Sequence, residues 1–153
     1  MKKILFPLFV ALAFGFTFAA CSDDDDEGRS FSSTPEIESA GTYTGTFTRV
    51  QDGTTDTLTA PGTVTLTATD SAYCTDVAFA AAGFDLDAKS VANISHADDG
   101  YVFTNSSTSN GLGAAFQGRI DASGTLTSSF NITQKEGRKT YVYHYSFTGN
   151  RHQ

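Results

Sequence analysis

The chain has 153 residues, with 17 acidic and 10 basic side chains and a formal net charge of −7. Its length suits one domain plus a leader. The acidic balance, without any cluster of Lys or Arg, excludes the basic surface typical of nucleic-acid or anionic-lipid binding.

The first 20 residues have the composition of an export signal. Lys2 and Lys3 precede an apolar run over residues 4–20, which is the layout of a secretory signal peptide. An N-terminal membrane helix is the alternative, although such a helix needs about 20 apolar residues.

A cysteine follows the small residues at the end of this signal. Phe18-Ala19-Ala20-Cys21 resembles the lipobox of bacterial lipoproteins, which implies cleavage before Cys21 and attachment of palmitate and other acyl chains to it. The acidic run over residues 23–27 resembles the export signal of Bacteroidetes lipoproteins. The resemblance implies a lipid-anchored protein of the outer membrane that faces the cell exterior.

The segment after Cys21 is predicted to be a tether. Residues 22–40 are rich in Asp, Ser and Glu and contain few apolar side chains, which is typical of disorder. The Asp run lacks the spaced oxygen ligands of a calcium loop, so we expect no metal there. The predicted divisions are a signal peptide over residues 1–20, the lipidated Cys21 with its tether over 21–40, and a domain over 41–151. Cys74, the other cysteine, is expected to be a small buried side chain.

From Gly41 onward the sequence alternates between apolar and polar residues. Tyr43, Gly45 and Phe47 share one face, with Thr residues between them, and this period of two predicts a half-buried strand. The pattern recurs between turn signals such as Asp98-Asp99-Gly100, whereas no window keeps a helical period. Because a sheet without covering helices must hide its edges, we predict an all-β fold, a closed antiparallel up-and-down barrel of about eight strands.

The two faces of the predicted strands differ in chemistry. The inward face carries most of the aromatic residues, which should form the core and leave a small cavity or none. The outward face is mainly Thr and Ser, whereas a membrane-spanning barrel needs apolar residues facing lipid. A tethered barrel exposed to water is therefore predicted.

Short segments throughout this region resemble one family, the calycin-like β-barrel domain of gut Bacteroidetes lipoproteins. The matching segments are Gly41-Thr42-Tyr43-Thr44-Gly45, Gly62-Thr63-Val64-Thr65-Leu66, Val91-Ala92-Asn93-Ile94, Asp99-Gly100-Tyr101-Val102-Phe103, Gly124-Thr125-Leu126 and Phe147-Thr148-Gly149. The resemblance implies a closed barrel with no established general activity. The wider calycin group includes binders of small apolar molecules and some protease inhibitors.

The sequence contains no pattern typical of a catalytic or metal site. It has no Gly-x-Ser-x-Gly elbow, and its three histidines, His96, His144 and His152, do not have metal-ligand spacing. We therefore predict a non-enzymatic protein without a cofactor or metal.

Candidate ligand contacts come from aromatic and cationic residues of the strands. Arg49 and Arg119 each continue an alternating strand, and an arginine at the barrel mouth could clamp an anionic ligand. The aromatic candidates, which serve either ligand stacking or core packing, are Tyr101, Phe103, Tyr141, Tyr143 and Tyr145. Thr57 and Ser71 lie in Asp-Ser/Thr-aliphatic triplets, which resemble O-glycosylation sites of exported Bacteroidetes proteins.

The sequence thus predicts a surface-anchored barrel that binds a small apolar molecule, a glycan or an envelope protein. The alternative is a filled structural or inhibitory barrel that acts by protein contact without a ligand. A connected interior cavity would favour the small ligand. A filled interior would favour contact through loops, among which residues 106–113 form the longest predicted connection.

Overall fold

The computed structural model describes residues 34–109 and 111–152. Eight antiparallel strands form one closed barrel, in which each strand pairs with the next and the last pairs with the first. The predicted closed up-and-down barrel is therefore confirmed. The predicted signal peptide, Cys21 and most of the predicted tether lie outside the described residues.

The elements follow one another with short connections in most places. A single helical turn, α1 (Pro35–Glu38), precedes β1 (Gly41–Gln51), β2 (Thr57–Ala68), β3 (Cys74–Ala81), a 3₁₀ turn (Ala82–Phe84), β4 (Leu86–Ala97), β5 (Gly100–Asn105), β6 (Phe116–Asp121), β7 (Thr125–Glu136) and β8 (Lys139–Arg151). None of the helices within the described ranges has the length and apolar character needed to cross a membrane.

The alternation of the sequence sets the two faces of the barrel. On β1, Tyr43 and Phe47 are buried while Thr42, Thr44 and Thr46 are exposed. Since successive side chains of a strand point to opposite faces, the apolar set lines the interior and the hydroxyls face outward.

Aromatic rings fill the barrel interior. Phe47, Phe79, Phe103 and Phe147 are each at most 1% exposed. The ring centroids of Phe47 and Phe147 are 4.7 Å apart, and those of Phe79 and Phe116 are 5.2 Å apart. These are contact distances for aromatic pairs, so side chains rather than a ligand space occupy this part of the core.

A row of three glycines crosses β8, β1 and β2 where the barrel closes. Gly45 lies opposite Gly149 on β8 and opposite Gly62 on β2. A Cβ atom on Gly45 would lie 2.0 Å from the carbonyl oxygen of Thr148, and one on Gly62 would lie 2.4 Å from the carbonyl oxygen of Ala80. Only glycine allows such close approach of the backbones, and we call these three residues the glycine row.

The helical turn α1 closes one end of the barrel, which we call the capped end. Pro35 and Glu36 are buried, and the backbone N–H of Tyr73 donates a hydrogen bond to Glu36 Oε2 at 3.2 Å. Tyr43 Oη donates to the carbonyl of Ser39 at 2.8 Å. Ordered structure packed on the barrel therefore begins before the predicted boundary at residue 41, because this acidic segment buries one turn that composition alone assigns to the tether.

Side chains of β8 and β5 also form hydrogen bonds to α1 at the capped end. Arg151 Nη1 donates to the carbonyl of Glu38 at 3.0 Å, and Nη2 donates to the carbonyl of Ala40. Tyr101 Oη donates to Glu38 Oε2. The two bonds from Arg151 satisfy carbonyl groups at the end of the turn, which has too few residues to satisfy them internally, and the bond from Tyr101 holds the side chain of Glu38.

The glycine row can be tested at Gly45. A Gly45→Ala substitution should lower the free energy of unfolding by about 3 kcal/mol, because the new methyl group meets a backbone carbonyl that cannot move without opening the β1–β8 pairing. Urea denaturation monitored by tyrosine fluorescence measures the change. Thr46→Ala, at the exposed neighbouring position, is the control and should cost less than about 1 kcal/mol. Equal effects of the two substitutions would contradict the role of close backbone approach.

Candidate functional site

The barrel end opposite α1, which we call the mouth, carries the candidate site. It is formed by the β1–β2 connection, the 3₁₀ turn, the β5–β6 loop and the β7–β8 hairpin. The β7–β8 ladder continues to the pair Glu136 and Lys139, whereas β1 pairs with β8 only as far as Tyr143. The hairpin therefore extends past the neighbouring strands as a two-stranded arm.

Arg49 is the central residue of the mouth. It follows Phe47 on the inward face of β1, and its guanidinium carbon lies 4.6 Å from the ring centroid of Phe84 and 5.0 Å from that of Tyr143. Both distances are within the range of cation–π attraction. The two rings therefore fix the position of the guanidinium group.

The 3₁₀ turn brings Phe84 to this position. Asp85, the residue after the turn, has φ 51°, a left-handed conformation that Asp tolerates better than most residues. This reversal places Phe84 inward, where it is 8% exposed and packs edge-on against Tyr145 with centroids 5.9 Å apart. Tyr145 in turn stacks on Phe130 at 5.2 Å, so Arg49 rests on aromatic packing that is continuous with the core.

The charge of Arg49 has no carboxylate partner in the part of the chain that the structure describes. The ion pairs there join Arg119 to Asp99 and His144 to Asp52. An arginine that stacks on aromatic rings uses the face of its planar group and keeps its N–H donors at the edge. Arg49 can therefore still bind an anion.

Two more side chains complete the mouth surface. Leu58 lies opposite Arg49 in the β1–β2 register and is 52% exposed. Tyr141 is partly buried, and its ring centroid is 6.4 Å from that of Tyr143. We call Arg49, Leu58, Phe84, Tyr141 and Tyr143 the rim.

The structure separates the residues that the sequence grouped as candidate contacts. Arg49, Tyr141 and Tyr143 meet at the rim, whereas Phe103 and Tyr145 are 0% and 3% exposed and belong to the core. The remaining two lie elsewhere: Tyr101 contacts α1 at the capped end, and Arg119 pairs with Asp99 on the outer surface.

Sequence reasoning did not select Phe84 or Leu58. Phe84 follows a run of small residues that gave no sign of a 3₁₀ turn. Leu58 lies in the Asp56-Thr57-Leu58 triplet, in which the predicted modification site is the threonine hydroxyl. Thr57 and Ser71 are both exposed, so their side chains are accessible to a modifying enzyme.

The outer wall of the barrel carries several concavities. One of about 750 Å³ lies beside β3 and β4 under the β5–β6 loop, and its lining includes Thr65, Asp76 and Lys89. Another of about 420 Å³ lies outside β6, β7 and β8 and is lined mainly by hydroxyl and amide groups. Both lack aromatic side chains on the outward face, in contrast to the rim.

Comparisons with models of protein families, with curated proteins and with solved structures found no match. Within residues 34–109 and 111–152, no three His, Cys, Asp or Glu side chains group closely enough to hold a metal ion. Cys74 is partly buried, and its Sγ atom lies 3.8 Å from Asn93 Oδ1. The rim is therefore the strongest candidate site.

Tyr101 gives a test of the capped end in alkaline solution. Burial, the hydrogen bond to Glu38 and the charge of Glu38 raise the pKa of Tyr101 from 10.0 to about 12. A phenol whose pKa is higher in the folded chain stabilises the fold below pH 10, and this contribution is lost as pH rises towards 12. Wild-type stability should therefore fall more steeply between these pH values than that of Tyr101→Phe, as measured by urea denaturation.

A second variant tests whether Glu38 raises the pKa of Tyr101. Glu38→Gln should lower the pKa of Tyr101, observed as an earlier phase in the absorbance titration of tyrosinate. Burial also raises the pKa of Tyr43, and the charge of ionised Tyr43 is a smaller cause of the raised pKa of Tyr101, so Tyr43 is kept in every variant. Identical alkaline profiles for the wild type and Tyr101→Phe would contradict the contact with α1.

Proposed function

We propose that this chain is a lipid-anchored, non-enzymatic binding protein whose β-barrel contacts its partner through the rim. The observation that supports this proposal best is Arg49, held on Phe84 and Tyr143 without a carboxylate partner among the described residues. A surface that presents fixed aromatic rings and an available cation is suited to recognition.

The filled interior favours one kind of partner over another. The aromatic rings that meet inside the barrel occupy the space in which a larger barrel would enclose a small apolar molecule. This packing favours a partner that lies across the mouth, such as a glycan or a protein segment. The five rim residues are aromatic, aliphatic or cationic, and the proposal assigns them binding and no bond-breaking step.

The proposed lipid anchor is consistent with a partner that contacts the mouth. The lipobox-like Phe18-Ala19-Ala20-Cys21 and the acidic run after it are the basis for attachment to the outer membrane, with the barrel on the cell exterior. The described chain enters the barrel through α1 at the capped end. A tether from Cys21 would therefore join the barrel at the capped end, which is the end opposite the rim.

The anchor can be tested by replacing its cysteine. Cys21→Ala should move the protein from the membrane fraction to the soluble fraction, because it removes the residue that carries the acyl chains. Two or three such chains hold a protein far more firmly than one. Cell fractionation followed by immunoblotting measures the distribution. Cys74→Ala is the matched control and should stay with the membrane. Retention of the Cys21→Ala protein would refute lipid anchoring.

The contact surface can be mapped on the same non-lipidated protein. Fragments of cell-surface glycans should shift backbone amide resonances of the rim in two-dimensional ¹H–¹⁵N spectra, and Tyr141→Ala should weaken binding several-fold through the loss of one stacking face. Tyr73→Ala removes a tyrosine that is 52% exposed near α1, and it should leave the affinity unchanged. Shifts confined to the outer wall or to the capped end would refute the rim as the contact surface.

A further inference from the structure

The chemistry of Arg49 indicates which class of ligand the rim could bind. The side chain is partly buried, and a partly desolvated cation is unfavourable unless nearby groups compensate it. Phe84 and Tyr143 provide part of this compensation through their ring faces. The hydrogen-bonding edge of the guanidinium group is the part that these contacts leave available.

This edge is suited to a carboxylate. The planar fork of an arginine matches the two oxygens of a carboxylate and can donate two parallel hydrogen bonds. Because the rings already hold Arg49, little side-chain entropy remains to be lost on binding. Arg119 lacks this property, since it is exposed and already paired with Asp99.

The surroundings of Arg49 favour a single negative charge over a polyanion. Asp52 and Asp56 are exposed in the β1–β2 connection close to Arg49, and Asp85 is exposed beside Phe84, whereas the exposed cations of the mouth lie further out, at the tip of the β7–β8 arm: Lys135, Arg138 and Lys139. The carboxylates nearer to Arg49 would repel a ligand that carries many phosphate or sulfate groups. One carboxylate directed at Arg49 avoids most of this repulsion.

The neighbours of Arg49 supply a flat apolar surface. Tyr141 and Tyr143 are partly exposed on the arm, and Leu58 lies on the opposite side of Arg49, on β2. A six-membered ring can place its C–H face on such side chains while its substituent reaches the guanidinium group. Gln51 pairs with Tyr143 and adds an amide for ring hydroxyls.

We infer that the rim binds a carboxylate carried on a six-membered ring, with Arg49 as the anion contact and the rim tyrosines as the stacking surface. This inference rests on the proposed function, because it names the ligand class of the same surface. The ring is either that of an acidic sugar or that of an aromatic acid. The chemistry at Arg49 is the same for both.

The test uses defined small molecules and the full chain with Cys21→Ala. Glucuronate, glucose, benzoate and benzyl alcohol form two pairs that differ mainly in the carboxylate, and chemical-shift titration gives a Kd for each. Glucuronate should bind about tenfold more tightly than glucose, or benzoate than benzyl alcohol, since a charge-assisted hydrogen bond contributes this much. The pair that shows the difference identifies the source of the ring.

Three variants assign the effect to Arg49. Arg49→Gln should abolish the preference for the acid, and Arg49→Lys should keep part of it because the charge remains without the fork. Arg119→Gln, which removes the paired arginine on the outer surface, should change nothing. Amide spectra and urea denaturation of each variant establish that the barrel is still folded.

The outcomes separate this inference from the proposed function. If the acids bind no more tightly than their neutral analogues while rim resonances still shift, the carboxylate inference is overturned and rim binding stands. The same holds if the acid preference survives Arg49→Gln. If none of the probes shifts rim resonances, the carboxylate inference is overturned, and the glycan titration described above decides separately whether the rim binds at all.

Discussion

The closure of β8 onto β1 is the constraint on which the rest of the structure depends. Gly45, Gly62 and Gly149 let three strands curve so tightly that a carbonyl of β8 occupies the place of a side chain on β1. This curvature sets the width of the interior. The phenylalanine rings then pack at contact distance across it, and each of the eight strands pairs with two neighbours.

The core and the rim form one continuous body of aromatic packing. Phe79 contacts Phe130 at 5.0 Å, Phe130 stacks on Tyr145, and Tyr145 packs against Phe84 beneath Arg49. The packing of the barrel interior, rather than a loop, therefore fixes the position of the guanidinium group. A site supported in this way is more rigid than one built on connections alone, and changes deep in the core should alter it.

Sequence periodicity predicted the strands and their faces, because a period of two is a local property of the chain. The closure was predicted separately, from the need of a sheet without covering helices to hide its edges. Periodicity also placed Arg49 on the inward face with Tyr43 and Phe47. It did not show that Tyr101 and Tyr141 lie at opposite ends of the barrel, since height along the axis depends on the register between strands. Phe84 and α1 depend on a left-handed Asp85 and on burial of Glu36, which are tertiary effects without a pattern in the sequence.

Because the number of antiparallel strands is even, β1 begins and β8 ends at the same side, where Tyr43 lies opposite Arg151. All four connections at the mouth are therefore uninterrupted links between neighbouring strands. Such links tolerate insertions and replacements at little cost to the scaffold. Selection could thus exchange the surface of the mouth, connection by connection, while the glycine row and the entry of the chain at the capped end stay unchanged.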